Sequence, residues 1–442
     1  MKNLINCTSS DFDYFSEQNT QNILRDGQMA YFAADLKSEG QATITIAASP
    51  QFLDLSKAQL YVKIKVYKGD KTSEKTPALD LKTDTVSLCN NTLHSLWSQI
   101  NLELNDNLVE NKMMYGLQSY IQDLLNFNLE AKNSSLQSQG WYNDTPGEMN
   151  NVVFLPDADK EKTQKQTFNQ GLIERRIILD RGEVEFMGAP HMDLFSNGKF
   201  LLNNTKMQMV LTQQNDKYVL MGSGDYTIKL LKVGLWVKKL TANDQIQNAI
   251  NLNLERNFAN YEYSMVKTIT RKIDSIGKSD LVEICSGEVP KYIVLGLASY
   301  EQTVIGVLDK SPFEFGSHGL ISLSLMENGS SYPYSVPLKF DYSNNEYLLG
   351  FKTLEANSKH IFGNGISRKA YPLGYALYVF DMTPNGECGE IKDVSRSGTI
   401  SVNLEFETEA AKKLALVCYL EYDKCIQLDK TRNLVTDKTF KK

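Results

Sequence analysis

The sequence predicts an all-β protein made of two tandem antiparallel β-sandwiches. The first observation behind this is an internal duplication. Residues 100–107 read I-N-L-E-L-N-D-N, and 221 positions later residues 321–328 read I-S-L-S-L-M-E-N, followed by Gly329. In both, Ile and Leu alternate with polar residues and then reach an Asn/Asp/Gly turn. Period two places the apolar side chains on one sheet face, and Asn-Asp or Asn-Gly supplies a tight turn. Second, the same alternation recurs in many short segments divided by turns, with few helical stripes. Third, 442 residues exceed a single core and suit two units of about 200 residues each.

Taken in order, residues 1–30 are polar with isolated aromatics (Phe12, Tyr14, Phe15) and read as an N-terminal arm. Strands follow at 41–47 and 60–67. In the second, Leu60, Val62, Ile64 and Val66 face one way, and Tyr61, Lys63, Lys65 and Tyr67 the other. Residues 68–84 form a charged loop and 98–104 a strand. Leu117, Tyr120, Ile121, Leu124 and Leu125 then share one helical stripe, which predicts a short helix over 115–127. The polar stretch 128–181 reads as an elaborated surface loop. Strands resume at 183–187, 199–201, 206–212 and 226–239. Thr241-Ala242-Asn243-Asp244 then reads as an N-cap with an acid three residues on, opening a linker helix over 242–256. The second half repeats the programme at 261–273, 291–298, 320–325, 375–381, 399–407 and 412–427. The expected organisation is an arm (1–30), a sandwich (31–240), a second sandwich (241–430) and a flexible tail (431–442). Among sandwiches, eight-stranded jelly rolls tolerate long loops at one end.

Bulk properties exclude several roles. A net charge of −6 argues against a protein that grips phosphate backbones, so no sequence-specific nucleic-acid binding is expected. The longest apolar run, 414–420, has seven residues, whereas a spanning helix needs about 20. The N-terminus shows no secretory leader. Six cysteines without a CxxC pair (Cys7, Cys89, Cys285, Cys388, Cys418, Cys425) read as reduced thiols.

No constellation predicts catalysis, a cofactor or a metal. His94, His191, His318 and His360 are far apart, and each reads as structural. GxSxG and Walker loops are absent. Gly363-Asn364-Gly365-Ile366-Ser367-Arg368 lacks the third glycine of a dinucleotide loop. Asp157 and Asp159 read as a solvated turn. Arg175-Arg176 and Arg271-Lys272 read as solvated strand edges or intersubunit ion pairs. Trp97 reads as a core or interface anchor and Trp236 as core. Trp141 and Tyr142, in the long loop, are the candidate intersubunit anchor.

A set of collinear motifs then becomes recognisable: 93–106 (L-H-S-L-W-S-Q-I-N-L-E-L-N-D), 120–127 (Y-I-Q-D-L-L-N-F), 139–147 (Q-G-W-Y-N-D-T-P-G), 191–195 (H-M-D-L-F), 200–211 (F-L-L-N-N-T-K-M-Q-M-V-L), 363–368 (G-N-G-I-S-R), 371–384 (Y-P-L-G-Y-A-L-Y-V-F-D-M-T-P) and 423–433 (D-K-C-I-Q-L-D-K-T-R-N). The chain resembles the major capsid proteins of the polinton (Maverick) and adintovirus group, relatives of virophage and adenovirus-like capsid proteins. Residues 70–84 and 152–170 depart from that pattern. The resemblance implies a double jelly roll and a non-enzymatic role. Three chains would form a pseudo-hexameric, hexon-like capsomer tiling an icosahedral shell around double-stranded DNA, with a pentameric single jelly-roll protein at the vertices. It implies a virion protein made in the host cytoplasm, with the nucleus a candidate place of assembly. The 128–182 and 343–370 segments are expected at intratrimer or outer contacts, and the arm on the inner face. The rival readings are a glycan-acting enzyme or a carbohydrate-binding protein on the same scaffold.

Overall fold

The computed structural model describes residues 21–37, 40–69, 79–80, 83–154, 167–179, 182–273, 279–356, 363–384, 386, 395–407 and 413–435. The expectations for residues 1–20, Cys7, Asp157, Asp159, His360, Cys388 and 436–442 fall outside them.

Sixteen strands carry the architecture. The first eight are β1 (Leu24–Ala33), β2 (Gln41–Ile46), β3 (Phe52–Lys68), β4 (Trp97–Leu104), β5 (Asn107–Met113), β6 (Glu183–Gly188), β7 (Met207–Gln213) and β8 (Tyr226–Ala242). The second eight are β9 (Ala259–Ile273), β10 (Ser279–Glu288), β11 (Tyr292–Ser299), β12 (Leu320–Glu327), β13 (Ser330–Ser331), β14 (Leu377–Asp381), β15 (Ser397–Phe406) and β16 (Leu414–Leu428). The first set makes sheets ordered β1-β8-β3-β6 and β2-β7-β4-β5. The second makes β9-β16-β11-β14 and β10-β15-β12-β13. Adding eight to each label of the first set gives the second; the short strands Asp35–Leu36 beside β2 and Leu338–Lys339 beside β12, and the pair Val86–Leu88 with Leu220–Gly222, lie outside this repeat. This is a double jelly roll, and the pairings are antiparallel throughout.

The duplicated motif lands on equivalent strands, β4 and β12. Both end in turns whose central residues take positive φ: Asn105 (48°) with Asp106 (63°), and Asn328 (51°) with Gly329 (81°). Ile100, Leu102 and Leu104 point inward, as the alternation predicts. On β12 a register shift between Leu320 and Ser322 changes the phase, so Leu320, Leu323 and Leu325 are buried while Ile321 faces out. The same device corrects Trp236. Bulges at Leu230/Lys232 and Trp236/Lys238 re-phase β8, turning Val233, Leu235 and Val237 inward. Trp236 therefore sits on the opposite face, against Tyr31, with ring centroids 5.0 Å apart.

Other expectations shift at their edges. β1 pairs with β8 along its length, so strand structure begins at Leu24, inside the segment read as an arm. The helix between the two sets runs Asp244–Leu254 and is capped by the Asn243 side chain rather than by Thr241, which still belongs to β8. Leu434–Val435 pairs with the end of β16. Residues 199–201 make only a bridge from Leu201 to Leu53.

The apolar run in β16 has a physical cause. Leu414–Tyr422 is buried continuously, as is Tyr292–Ala298 of β11. Both faces of this sheet are covered, which removes the polar half of the alternation. Cys418 and Tyr422 point toward Cys285 of β10, inside the second sandwich. Tyr419 and Glu421 face the first half of the chain. Among the described residues no helix is long and apolar enough to cross a membrane. Cys89, Cys285 and Cys418 are free thiols.

Candidate functional site

The seam between the sandwiches is built on helix Tyr115–Asn126, whose apolar stripe the sequence predicts. Nearly every residue of this helix is buried, because it lies between its own sandwich and the second. Tyr120 stacks on Phe313 at 4.1 Å and on Trp141 at 5.1 Å. Lys112 is pinned by the Asp193 carboxylate and donates to Val266 O at 2.8 Å. Val266 N–H donates to Asp193 Oδ2 at 2.8 Å, and Glu110 accepts the N–H groups of Asp193 and Leu194. Burial raises the Asp193 carboxyl above the usual carboxylate range, against the pull of Lys112. Further along, the Tyr261 hydroxyl donates to Phe200 O and accepts from Leu202 N–H.

The described parts of the 128–182 stretch are not the elaborated surface loop that its polarity suggests. They include helices Leu129–Lys132 and Gln170–Ile178 and a 3-10 turn at Ser135–Gln139. Several of their polar side chains are spent on internal bonds. Arg175, read from sequence as solvated or intersubunit, is fully buried. It donates to Leu88 O, Tyr142 O and Asp144 Oδ1 at 2.8, 2.8 and 2.6 Å. Asn169 donates to the same carboxylate oxygen at 2.8 Å. Arg176 lies over the Phe154 ring and donates to Asp84 O. An arginine with three well-placed acceptors is a structural anchor, and no spacing rule marks such partners in advance. Arg271, by contrast, sits on an exposed strand position and donates to carbonyls of β10.

Of the two residues singled out, Trp141 is 1% exposed in the single chain, with Nε1–H donating to Asn143 Oδ1. Its indole packs within its own chain. Tyr142 is half-buried, held through its backbone by Asn90 and Arg175.

The two segments proposed for contacts meet one another. Lys132 Nζ donates to Asn364 O at 2.5 Å, and Gly365 lies against Leu129. Gly147 N–H donates to Leu373 O, and Tyr375 Oη–H to Asp144 O, both at 2.9 Å. Leu129 and Leu373 stay exposed beside this junction. Leu348 and Leu349 are exposed at the start of helix Leu348–Ala356. Arg368 bridges that helix to the junction through the Tyr347 ring.

The fold also gathers residues that look unrelated in sequence. His94 (helix Thr92–Ser95), Asp123 (helix Tyr115–Asn126) and His191 (the turn after β6) place one ligand atom each within 4.8 Å of one another. The His94 and His191 rings are 4.5 Å apart, and His191 Nε2 is 3.0 Å from Asp123 Oδ1. The histidines are 97 positions apart. The H-S-L-W and H-M-D-L-F motifs contain them, but no spacing in the sequence pairs the two.

No family model matches the chain. The uncharacterized Caenorhabditis elegans protein F54H12.2 is 22% identical over 366 residues, spanning 79% of this chain and 81% of its own. Among solved structures, a chain of the Sputnik virophage superposes with a TM-score of 0.61 at 11% identity, covering 98% of this chain and 92% of that one. The mavirus major capsid protein gives 0.52 at 11% identity over 98% and 95%. The Faustovirus major capsid protein gives 0.52 at 8% identity over 93% and 92%. Likeness along whole chains at such low identity defines a shared fold, the double jelly roll of viral capsid subunits.

Proposed function

We propose that this chain is the major capsid protein of a virus or virus-like element of the polinton and adintovirus group. The observation that carries the reading is the repetition of sheet order among the eight principal strands of each half. Three such chains around a three-fold axis offer six similar sandwiches, and a near-hexagonal block of that kind tiles an icosahedral shell. The units we assign begin at Leu24 and Ala259, with Asp244–Leu254 between them. The shell would enclose double-stranded DNA, with a pentameric single jelly-roll protein at its vertices.

The mechanism is association rather than turnover. An obligate trimer interface buries about 2,000 Å² or more. Tyr142, Leu129, Leu348, Leu349 and Leu373 supply half-buried or exposed apolar surface beside the junction of the two long segments. The test is negative-stain imaging of the purified protein. Three-fold particles of hexagonal outline are expected, whereas single elongated subunits at every concentration would overturn the reading.

A further inference from the structure

We infer that His94, Asp123 and His191 form a divalent-cation site of zinc type, which fastens the turn at 189–192 to two helices of the first sandwich. Three separate elements converge their ligand atoms within 4.8 Å. Neighbouring ligands around a tetrahedral zinc lie about 3.3 Å apart for bonds of about 2.0 Å. The 3.0 Å between His191 Nε2 and Asp123 Oδ1 is already a ligand spacing. The rest of the cluster needs to close by about 1.5 Å at most.

The hydrogen bonding supports this. His94 Nε2 is fully buried without an aligned hydrogen bond, and His191 Nε2 and Asp123 Oδ1 have none beyond their 3.0 Å contact with one another. Protein interiors rarely leave a buried ring nitrogen unpaired beside such a pair. Their far sides are well tied. His94 Nδ1 lies 3.0 Å from the Tyr115 hydroxyl, and Nδ1–H donating there leaves the Nε2 lone pair toward the cluster. Asp123 Oδ2 accepts from Asn91 and Gln139, each at 2.7 Å. Outer partners of this kind orient metal ligands. Two imidazoles and one carboxylate suit zinc, with a fourth position for water, and do not suit calcium or magnesium. Water reaches His191 through a crevice lined also by Gln122, Asp193 and Tyr419.

The site has a structural consequence. His191 stands two residues before Asp193, which accepts the Val266 N–H across the seam. An ion here ties the seam to the first sandwich core.

The test uses the full chain stripped with a chelator and then titrated with Zn²⁺ or Co²⁺. Elemental analysis is expected to find one zinc per chain after reloading. Zinc should raise the melting midpoint by several degrees, and cobalt should show the visible ligand-field bands of a tetrahedral site. His191→Ala, at a partly exposed position, and the isosteric Asp123→Asn should each weaken binding at least a hundredfold. Tyr115→Phe should weaken it about 10–100-fold. Absence of cobalt bands and of any zinc-dependent midpoint in the unmodified protein would overturn the site, leaving a plain His191–Asp123 ion pair beside a neutral His94. Bands that survive both ligand substitutions would do the same. Neither failure bears on whether the chain forms trimers.

Discussion

Tyr120 and Phe313 lie face to face across the seam, with ring centroids 4.1 Å apart and planes 4° from parallel. One ring belongs to the helix of the first sandwich and the other to the loop that leads into β12, and both are buried. Phe313→Ala should destabilise the chain by about 3–5 kcal/mol through lost transfer energy and a residual cavity. A double-mutant cycle with Tyr120→Ala should return a coupling of about 0.5–1.5 kcal/mol. Urea unfolding measures both, and strictly additive single effects would show that the rings do not couple the halves.

Arg175 and Arg25 make opposite cases. Arg175→Ala leaves the Asp144 carboxylate buried without its cation, which should cost about 3–5 kcal/mol. Arg25 pairs with Asp244 at 3.5 Å in full view of solvent, and Arg25→Ala should leave the denaturation midpoint unchanged. Equal effects would contradict the view that helix Gln170–Ile178 is anchored in the core through Arg175.

Lys132 predicts a pH dependence. Burial lowers its ammonium pKa to about 7, while Asp123 pulls the other way. The unfolded chain carries a lysine of ordinary pKa, about 10.4. Between those values the unfolded state binds more protons, so stability rises with pH from about 7 to about 10. Lys132→Met should flatten that rise in a series of thermal melts. An identical slope in the variant would assign the dependence elsewhere.

Alternation made the strands and the double architecture legible, because a half-buried strand must write its buried face at period two. Leu60 to Val66 and Ile400 to Phe406 follow that pattern. The stripe from Leu117 to Leu125 gave the seam helix for the equivalent reason at helical period. The same signal misplaced Ile321 and Trp236, since a bulge changes phase without a mark in the residue types. The polarity of 128–182 misled for a different reason. Arg175, Asp144 and Asn169 satisfy one another internally, and their further partners lie far off in sequence, Leu88 at 87 positions from Arg175 and Tyr375 at 231 positions from Asp144. The His94, Asp123 and His191 cluster was illegible because only the folded backbone brings its members together.

Surface leucines next to the junction of the two long segments should govern association. Leu348→Glu with Leu349→Glu changes two exposed positions, so the monomer fold, judged by circular dichroism, should persist. The trimer should weaken at least tenfold in concentration-dependent sedimentation. Unaltered sedimentation would move the interface to another face.

Light scattering of the purified protein, with its absolute mass, tests capsomer formation most directly. A stable species of three times 49.9 kDa across a range of concentrations is the expected result. A monomer of 49.9 kDa that persists at the highest concentration reached would contradict a capsid role for this double jelly roll.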